Sequence, residues 1–209
     1  MIEKDNEKKG YIVILNGVPR AGKTSIATEI QNTFDGVWIN LGVDRYQSML
    51  PEIYKPSIGL FLDGERPDLE PVGVTLYKAL YESIAAHSRL GINVAADIVH
   101  HDSHTSPLQI LPHCAKILEN YPALLVGVKC PIDEIMRRRT DTSYPSYNQD
   151  GSIPEHVLKW QNSAHGLGIY DIEVDTSVNT PKEIAKIIHD NLTESNFTAI
   201  KRLAALISE

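Results

Sequence analysis

Residues 17 to 24 read Gly-Val-Pro-Arg-Ala-Gly-Lys-Thr, a full match to the pattern GxxxxGK[ST]. This pattern constrains the fold because it works only at one kind of junction. A strand must feed a loop whose backbone N–H groups turn inward, and a helix must follow with its N-terminus aimed at the same point. Both flanks fit. Tyr11-Ile12-Val13-Ile14-Leu15 is an apolar run that predicts a buried strand over residues 11 to 16. Ser25-Ile26-Ala27-Thr28-Glu29-Ile30 predicts a helix near 23–33, with Ile26 and Ile30 on one face. A loop so placed cradles the phosphates of a nucleoside triphosphate. The expected binding residues are Gly17, Val18, Pro19, Arg20, Ala21, Gly22, Lys23, Thr24 and Ser25. Lys23 would reach the β- and γ-phosphates, and Thr24 would offer its hydroxyl to Mg²⁺. The alternative is a glycine-rich turn with a stray lysine.

Apolar runs alternate with helical patterns along the rest of the chain, which predicts an α/β fold with a parallel sheet and helices on both faces. Further strands are expected at 36–41, 92–99, 123–129 and 170–175, giving five. Helices are expected near 44–50, 72–90, 107–120, 131–140 and 154–164, and from Pro181 to about Leu192. The chain of 209 residues suits one such domain, over residues 1–192, followed by an additional C-terminal helix over 193–209. Two stretches break the alternation. Pro51, Pro56, Pro67 and Pro71 punctuate a long loop over residues 51 to 71, and residues 141 to 153 are polar and turn-rich. Long loops inside a compact domain are usually functional. In a phosphoryl-transfer enzyme they suit a substrate loop and a lid.

Composition narrows the partners. The formal net charge is -7, and the longest basic run is Arg137-Arg138-Arg139, so nucleic acid has no electrostatic footprint here. Two cysteines, Cys114 and Cys130, cannot build a disulfide framework and predict a reducing compartment. The charged N-terminus has no apolar signal core, and no stretch has the roughly 18 apolar residues a membrane span requires. A cytoplasmic location is expected.

Several residues outside the loop have types suited to phosphoryl transfer. Asp44 follows the second strand, where strand ends face the ligand crevice of a parallel sheet. It would either take the proton of a substrate hydroxyl or cap the next helix. Asp97, near the end of the third strand, would orient Mg²⁺ or its waters, or be a buried structural carboxylate. One or two of Arg137, Arg138 and Arg139 would stabilise charge on the moving phosphoryl group, while at least one faces solvent. His100, His101 and His104 lack a familiar zinc spacing and suit a loop that contacts substrate better than a metal site. His165 has no local chemical partner in the sequence.

Together these segments resemble the chloramphenicol phosphotransferase family of P-loop kinases. The resemblance is carried by Ile14-Leu15-Asn16-Gly17 running into Ala21-Gly22-Lys23-Thr24, then Leu41-Gly42-Val43-Asp44, and Asp97 with Val99. It continues in Val126-Gly127-Val128-Lys129-Cys130-Pro131, His165, and Tyr170-Asp171-Ile172-Glu173-Val174-Asp175-Thr176-Ser177. It spans residues 11 to about 192. It implies a sheet order of 2-3-1-4-5, a lid bearing arginines, and transfer of the ATP γ-phosphate to the hydroxyl of a small molecule such as chloramphenicol. It implies Asp44 as general base, with Lys23 and Arg138 as the other catalytic residues, Arg138 matching a lid arginine by its spacing from Cys130. ATP and Mg²⁺ would be the cofactors, with Thr24 and Asp97 at the metal. Two departures stand out. Thr142-Ser143-Tyr144-Pro145 carries no arginine where the family's lid often has more, and the loop from Pro51 to Pro71 finds no close match. Two further functions share the scaffold: a kinase of another metabolite or nucleotide, and a nucleotide-binding regulator that hydrolyses slowly.

The tail beyond the resemblance has an apolar stripe at helical spacing, Phe197, Ile200, Leu203, Ala204 and Ile207. It would be buried either on the domain or against a second copy of the chain, which makes a homo-oligomer an expected partner state.

Overall fold

The computed structural model describes residues 8–57, 66–101, 104, 106–140, 147–194 and 196–207. Five strands form one parallel sheet: β1 Ile12–Asn16, β2 Trp38–Asn40, β3 Asn93–Ile98, β4 Ala123–Lys129 and β5 Ile172–Asp175. Their order is β2-β3-β1-β4-β5, as the resemblance implies, and each hydrogen-bonded pair is parallel. Successive side chains of β1 point to opposite faces and are all fully buried. Val13 and Leu15 join one core with Ile26 and Ile30 of α1, Lys23–Thr33, and Ile184 and Ile188 of α7, Pro181–Glu194. Ile12 and Ile14 join the other, with Leu80, Tyr81 and Ile84 of α3, Glu70–Arg89, and Leu111, Cys114 and Leu118 of α4, Ile110–Leu118. Helices cover both faces, and β1 at the centre of the sheet is buried throughout, while Glu173 on the edge strand β5 is exposed.

Three differences from the sequence expectation have a clear physical reason or fall in the long loop, while β5 starts at Ile172 rather than 170 and α4 at Ile110 rather than 107. β2 begins at Trp38 rather than residue 36, because Gly36 has φ 85 and turns the chain out of extended geometry. Pro71 lies inside α3 as its second residue, a first-turn site where the missing N–H is not needed. The stretch read as a loop from residue 51 opens with a short 3-10 helix, Glu52–Ser57; residues 58–65 of it lie outside the described residues. So do residues 141–146, which hold the Thr142-Ser143-Tyr144-Pro145 segment.

The C-terminal stripe is buried on the domain itself. Helix α8, Ala199–Ala204, places Ala199, Ile200, Leu203 and Ala204 in the core shared with α3 and α4. Asp171, just before β5, fastens it. One carboxylate oxygen accepts from the N–H groups of Thr198 and Ala199 (2.7 and 2.9 Å), satisfying donors at the start of α8, while the other accepts from Leu125 N–H of β4 (2.9 Å).

Candidate active site

Parallel register aligns the C-terminal strand ends. Leu15 pairs with Asp97 and Asn16 with both Ile98 and Gly127, so the loop after β1 leaves the sheet between the ends of β3 and β4. Its backbone is bent as anion binding requires. Arg20 has φ 69 and Gly22 φ 93, both left-handed, and Gly22 N-caps α1 without any side-chain cap bond. No acidic residue occupies the first turn of α1, so its N–H groups and dipole are left for an incoming anion. Gly17 packs against β4 so closely that a Cβ there would lie 2.4 Å from the Val128 carbonyl oxygen.

Lys23 lies buried at the centre of this loop. Its Nζ donates to the carbonyls of Gly17 (2.8 Å) and Val18 (2.9 Å). Burial pulls its pKa from 10.5 down to about 8, against the opposing pull of Asp97 and Asp44. Thr24 donates its hydroxyl to Asp97 Oδ2 at 2.6 Å. A hydroxyl and a carboxylate side by side are hard oxygen donors of the kind Mg²⁺ takes, so these two residues fit that ion.

Asp44 belongs to α2, Val43–Ser48. The helix is N-capped by Gly42, not by Asp44, and no side-chain cap bond is present. The capping alternative is therefore not what the fold uses Asp44 for. Instead Asp44 is exposed and lines a cavity of about 660 Å³ with Pro19, Arg20, Gly22, Lys23, Thr24, Ser25 and Asp97. Of the predicted loop residues, Gly17, Val18 and Ala21 are buried and do not line the cavity.

The three arginines of α5, Ile132–Thr140, part company. Arg137 is 65% exposed and pairs with Glu134. Both neighbouring guanidinium groups bond Glu134, Arg137 first, and hold its carboxyl down at about 2. Arg138 binds Glu134 through Nε (2.8 Å) and bridges to the phosphate loop, donating to the Thr176 carbonyl (2.7 Å), the Thr176 hydroxyl (3.1 Å) and the Arg20 carbonyl (3.3 Å). Arg139 is the buried member, at 7% exposure, with Nη2 3.2 Å from His156 Nε2. Arg138 and Arg139 both line the cavity.

The histidines also separate. His100 is buried with its Nε2 2.9 Å from the Tyr81 hydroxyl, and burial, helped by His101 and His104, pushes its pKa down to about 3. His101 stacks on His104 at 4.4 Å and meets the face of Trp160 edge-on at 5.0 Å. No group of three metal-binding side chains occurs among the described residues. His165 does have a partner, contrary to its bare sequence context: its Nδ1 lies 2.7 Å from the Tyr170 hydroxyl. That hydroxyl also accepts from Asn16 Nδ2 (2.9 Å). Asn16 also donates to the Ala164 carbonyl and accepts from His100 N–H, tying the strand before the loop to both flanking connections.

The sequence reading missed His156 and Trp160, which share one face of α6, Glu155–Ser163, at i, i+4 spacing and line the cavity. It also missed Asn179, on the β5–α7 connection.

The comparisons agree with this geometry. A family model described as chloramphenicol phosphotransferase-like protein matches residues 10–193. A Mycobacterium tuberculosis protein named "Putative O-phosphotransferase" is 26% identical over 199 residues, covering 88% of this chain and 82% of its own. Among solved structures, an APS kinase of M. tuberculosis bound to AMPPNP and APS has a TM-score of 0.55 at 15% identity, covering 89% of this chain and 98% of that one. A shikimate kinase of Acinetobacter baumannii bound to shikimate has a TM-score of 0.54 at 10% identity, covering 93% and 99%. A Deinococcus radiodurans tunicamycin resistance protein has a TM-score of 0.56 at 14% identity, covering 88% and 96%. These structural likenesses establish the P-loop kinase fold. No helix among the described residues is long and apolar enough to cross a membrane. With a family model matched from residue 10 to residue 193, the chain belongs to the chloramphenicol phosphotransferase-like family.

Proposed function

We propose that the chain is an ATP-dependent phosphotransferase that moves the γ-phosphate to a hydroxyl of a small molecule, with chloramphenicol the first acceptor to test. The observation that carries this reading is the company Asp44 keeps: a carboxylate in the first turn of α2, after β2, lines the same cavity as Lys23, Thr24 and Asp97. Phosphoryl transfer needs little covalent help from a protein. It needs the donor and hydroxyl positioned, charge on the transferring group offset, and a group to take the hydroxyl proton.

The residues divide those tasks. Loop N–H groups and Lys23 hold the phosphates; for that, Lys23 exchanges the Gly17 and Val18 carbonyls for phosphate oxygens. Thr24 and Asp97 would hold Mg²⁺, which when bound offsets charge on the phosphate oxygens. Asp44 accepts the acceptor's proton. Arg138, fixed across the loop by Thr176 and the Arg20 carbonyl, presents a planar cation at the cavity wall. A cytoplasmic setting fits the two unpaired cysteines, Cys114 and Cys130, which are buried and free.

The test is ADP release by the purified protein with Mg²⁺-ATP and a panel of hydroxylated antibiotics and metabolites. Acceptor-dependent ADP release with a phosphorylated product by mass supports the reading. Release that is slow and indifferent to every acceptor contradicts it.

A further inference from the structure

Asn16 closes β1 and immediately precedes the phosphate loop, yet none of its three side-chain hydrogen bonds goes to that loop. The side chain is buried and its amide is fully committed. Nδ2 donates one proton to the Ala164 carbonyl (3.0 Å) and the other to the Tyr170 hydroxyl (2.9 Å), while Oδ1 accepts from His100 N–H (2.8 Å). The Ala164 carbonyl only accepts and the His100 N–H only donates, so the amide fits one way round. The loop does not depend on these bonds. The Asn16 backbone pairs with Ile98 on one side and Gly127 on the other, and that register fixes where the loop begins.

What the side chain holds is a wall of the cavity. Ala164 is the C-cap of α6, and its N–H donates to the Trp160 carbonyl (3.1 Å). His100 sits between Val99, whose carbonyl accepts from the Tyr77 hydroxyl (2.7 Å), and His101, whose ring lies perpendicular to that of Trp160 at 5.0 Å. Val99 and Trp160 both line the cavity. One amide therefore sets the last turn of α6 against the exit of β3. Asp44 and Asp97 follow β2 and β3, on this same side of β1, so the wall lies where an acceptor hydroxyl would meet Asp44. We propose that Asn16 is a positioning residue for the acceptor: it keeps Val99 and Trp160 at a fixed spacing, with Tyr170 and His165 bracing its amide from behind. This gives work to three residues that phosphate binding and proton transfer leave unused. It rests on the kinase reading above for what meets the wall.

The test uses the ¹⁵N-labelled full chain, whose two tryptophans, Trp38 and Trp160, give separate indole N–H signals that Trp38→Phe assigns. Asn16→Ala should move the Trp160 signal and leave that of Trp38 in place. Tyr170→Phe keeps the ring packed on Gly127 and removes only the hydroxyl, so it should do the same to a smaller extent and serves if Asn16→Ala does not fold. Calorimetric affinity for tripolyphosphate should be unchanged in both. With an acceptor that supports turnover, kcat/KM for that acceptor should fall about 10- to 100-fold, the scale of a misplaced positioning contact, while KM for ATP holds. A purely structural role would lower the melting temperature and leave these constants alone. A Trp160 signal that does not move, a wild-type kcat/KM for the acceptor, or a matching loss of tripolyphosphate affinity each overturns the proposal. If the wild-type protein turns over no acceptor, the kinase reading falls, and the indole signals still decide whether Asn16 sets the wall.

Discussion

The carboxylate of Asp97 occupies the space that a side chain on Gly42 would need. A Cβ on Gly42 would lie 1.5 Å from Asp97 Oδ1 and 2.8 Å from the Asp97 carbonyl oxygen. Gly42 has φ -90 and ψ 173, extended backbone open to any residue, so the demand is for room and not for conformation. The turn that launches Asp44 is thus packed directly on the carboxylate bonded to Thr24.

Gly42→Ala should push Asp97 off Thr24 and disturb α2 with it. Apparent Mg²⁺ affinity in the ATP-dependent reaction should fall about 10- to 100-fold, the usual effect of misplacing a group that orients a metal ligand. Binding of metal-free tripolyphosphate should not change. A Mg²⁺ titration of the rate checks this; an unaltered midpoint contradicts it.

Lys23 gives a pH signature. Its folded-state pKa is depressed to about 8, so below that value the ammonium is present and available to phosphate. Tripolyphosphate affinity should be flat from pH 6 to about 7.5 and weaken as pH rises through 8. Stability runs the opposite way: the cost of burying the charge is present in full below about pH 8 and is relieved as pH climbs toward 10.5. Lys23→Ala should abolish transfer with the fold intact and remove both trends. Wild-type turnover in that variant would refute the loop assignment.

Among the arginines, Arg138→Ala should cost most in turnover, about 10²–10³-fold. Arg137→Ala, at a 65%-exposed site, should leave turnover unchanged. Steady-state kinetics of the three single variants decide the order, and an Arg138 variant with normal turnover removes it from the site.

Asp171→Ala leaves three backbone N–H groups without their acceptor, at Leu125, Thr198 and Ala199. Stability should drop by about 2–4 kcal/mol, from a lost helix cap and lost charge-assisted bonds. Truncation after Leu192 should be worse, since it uncovers the core that Ile200 and Leu203 fill. Thermal melts measure both; an unchanged melting temperature for Asp171→Ala contradicts the fastening role.

What the sequence makes legible follows from local rules. Buried parallel strands read as apolar runs, and the loop pattern marks which strand end faces ligand, so the sheet and Lys23, Thr24, Asp44 and Asp97 can be found by position. Other features depend on residues far apart in the chain. Gly42 looks like any loop glycine until Asp97 arrives beside it from 55 positions away. His165 meets Tyr170 only because Gly127 leaves room for the ring, whose atoms would come within 2.8 Å of a Cβ there. Arg137, Arg138 and Arg139 are identical letters, and only the turn of α5 sends one to solvent, one across the loop and one inward.

Asp44→Asn is the measurement on which the proposed chemistry depends. Asparagine keeps the size and the hydrogen bonding but cannot take a proton. Calorimetric ATP titration beside steady-state rates, with an acceptor that supports turnover, should show nucleotide affinity little changed and turnover down by about 10²–10⁴-fold, the contribution of a positioned general base. Weakened Mg²⁺-ATP binding would instead put Asp44 at the metal, and normal turnover would contradict its role as the base.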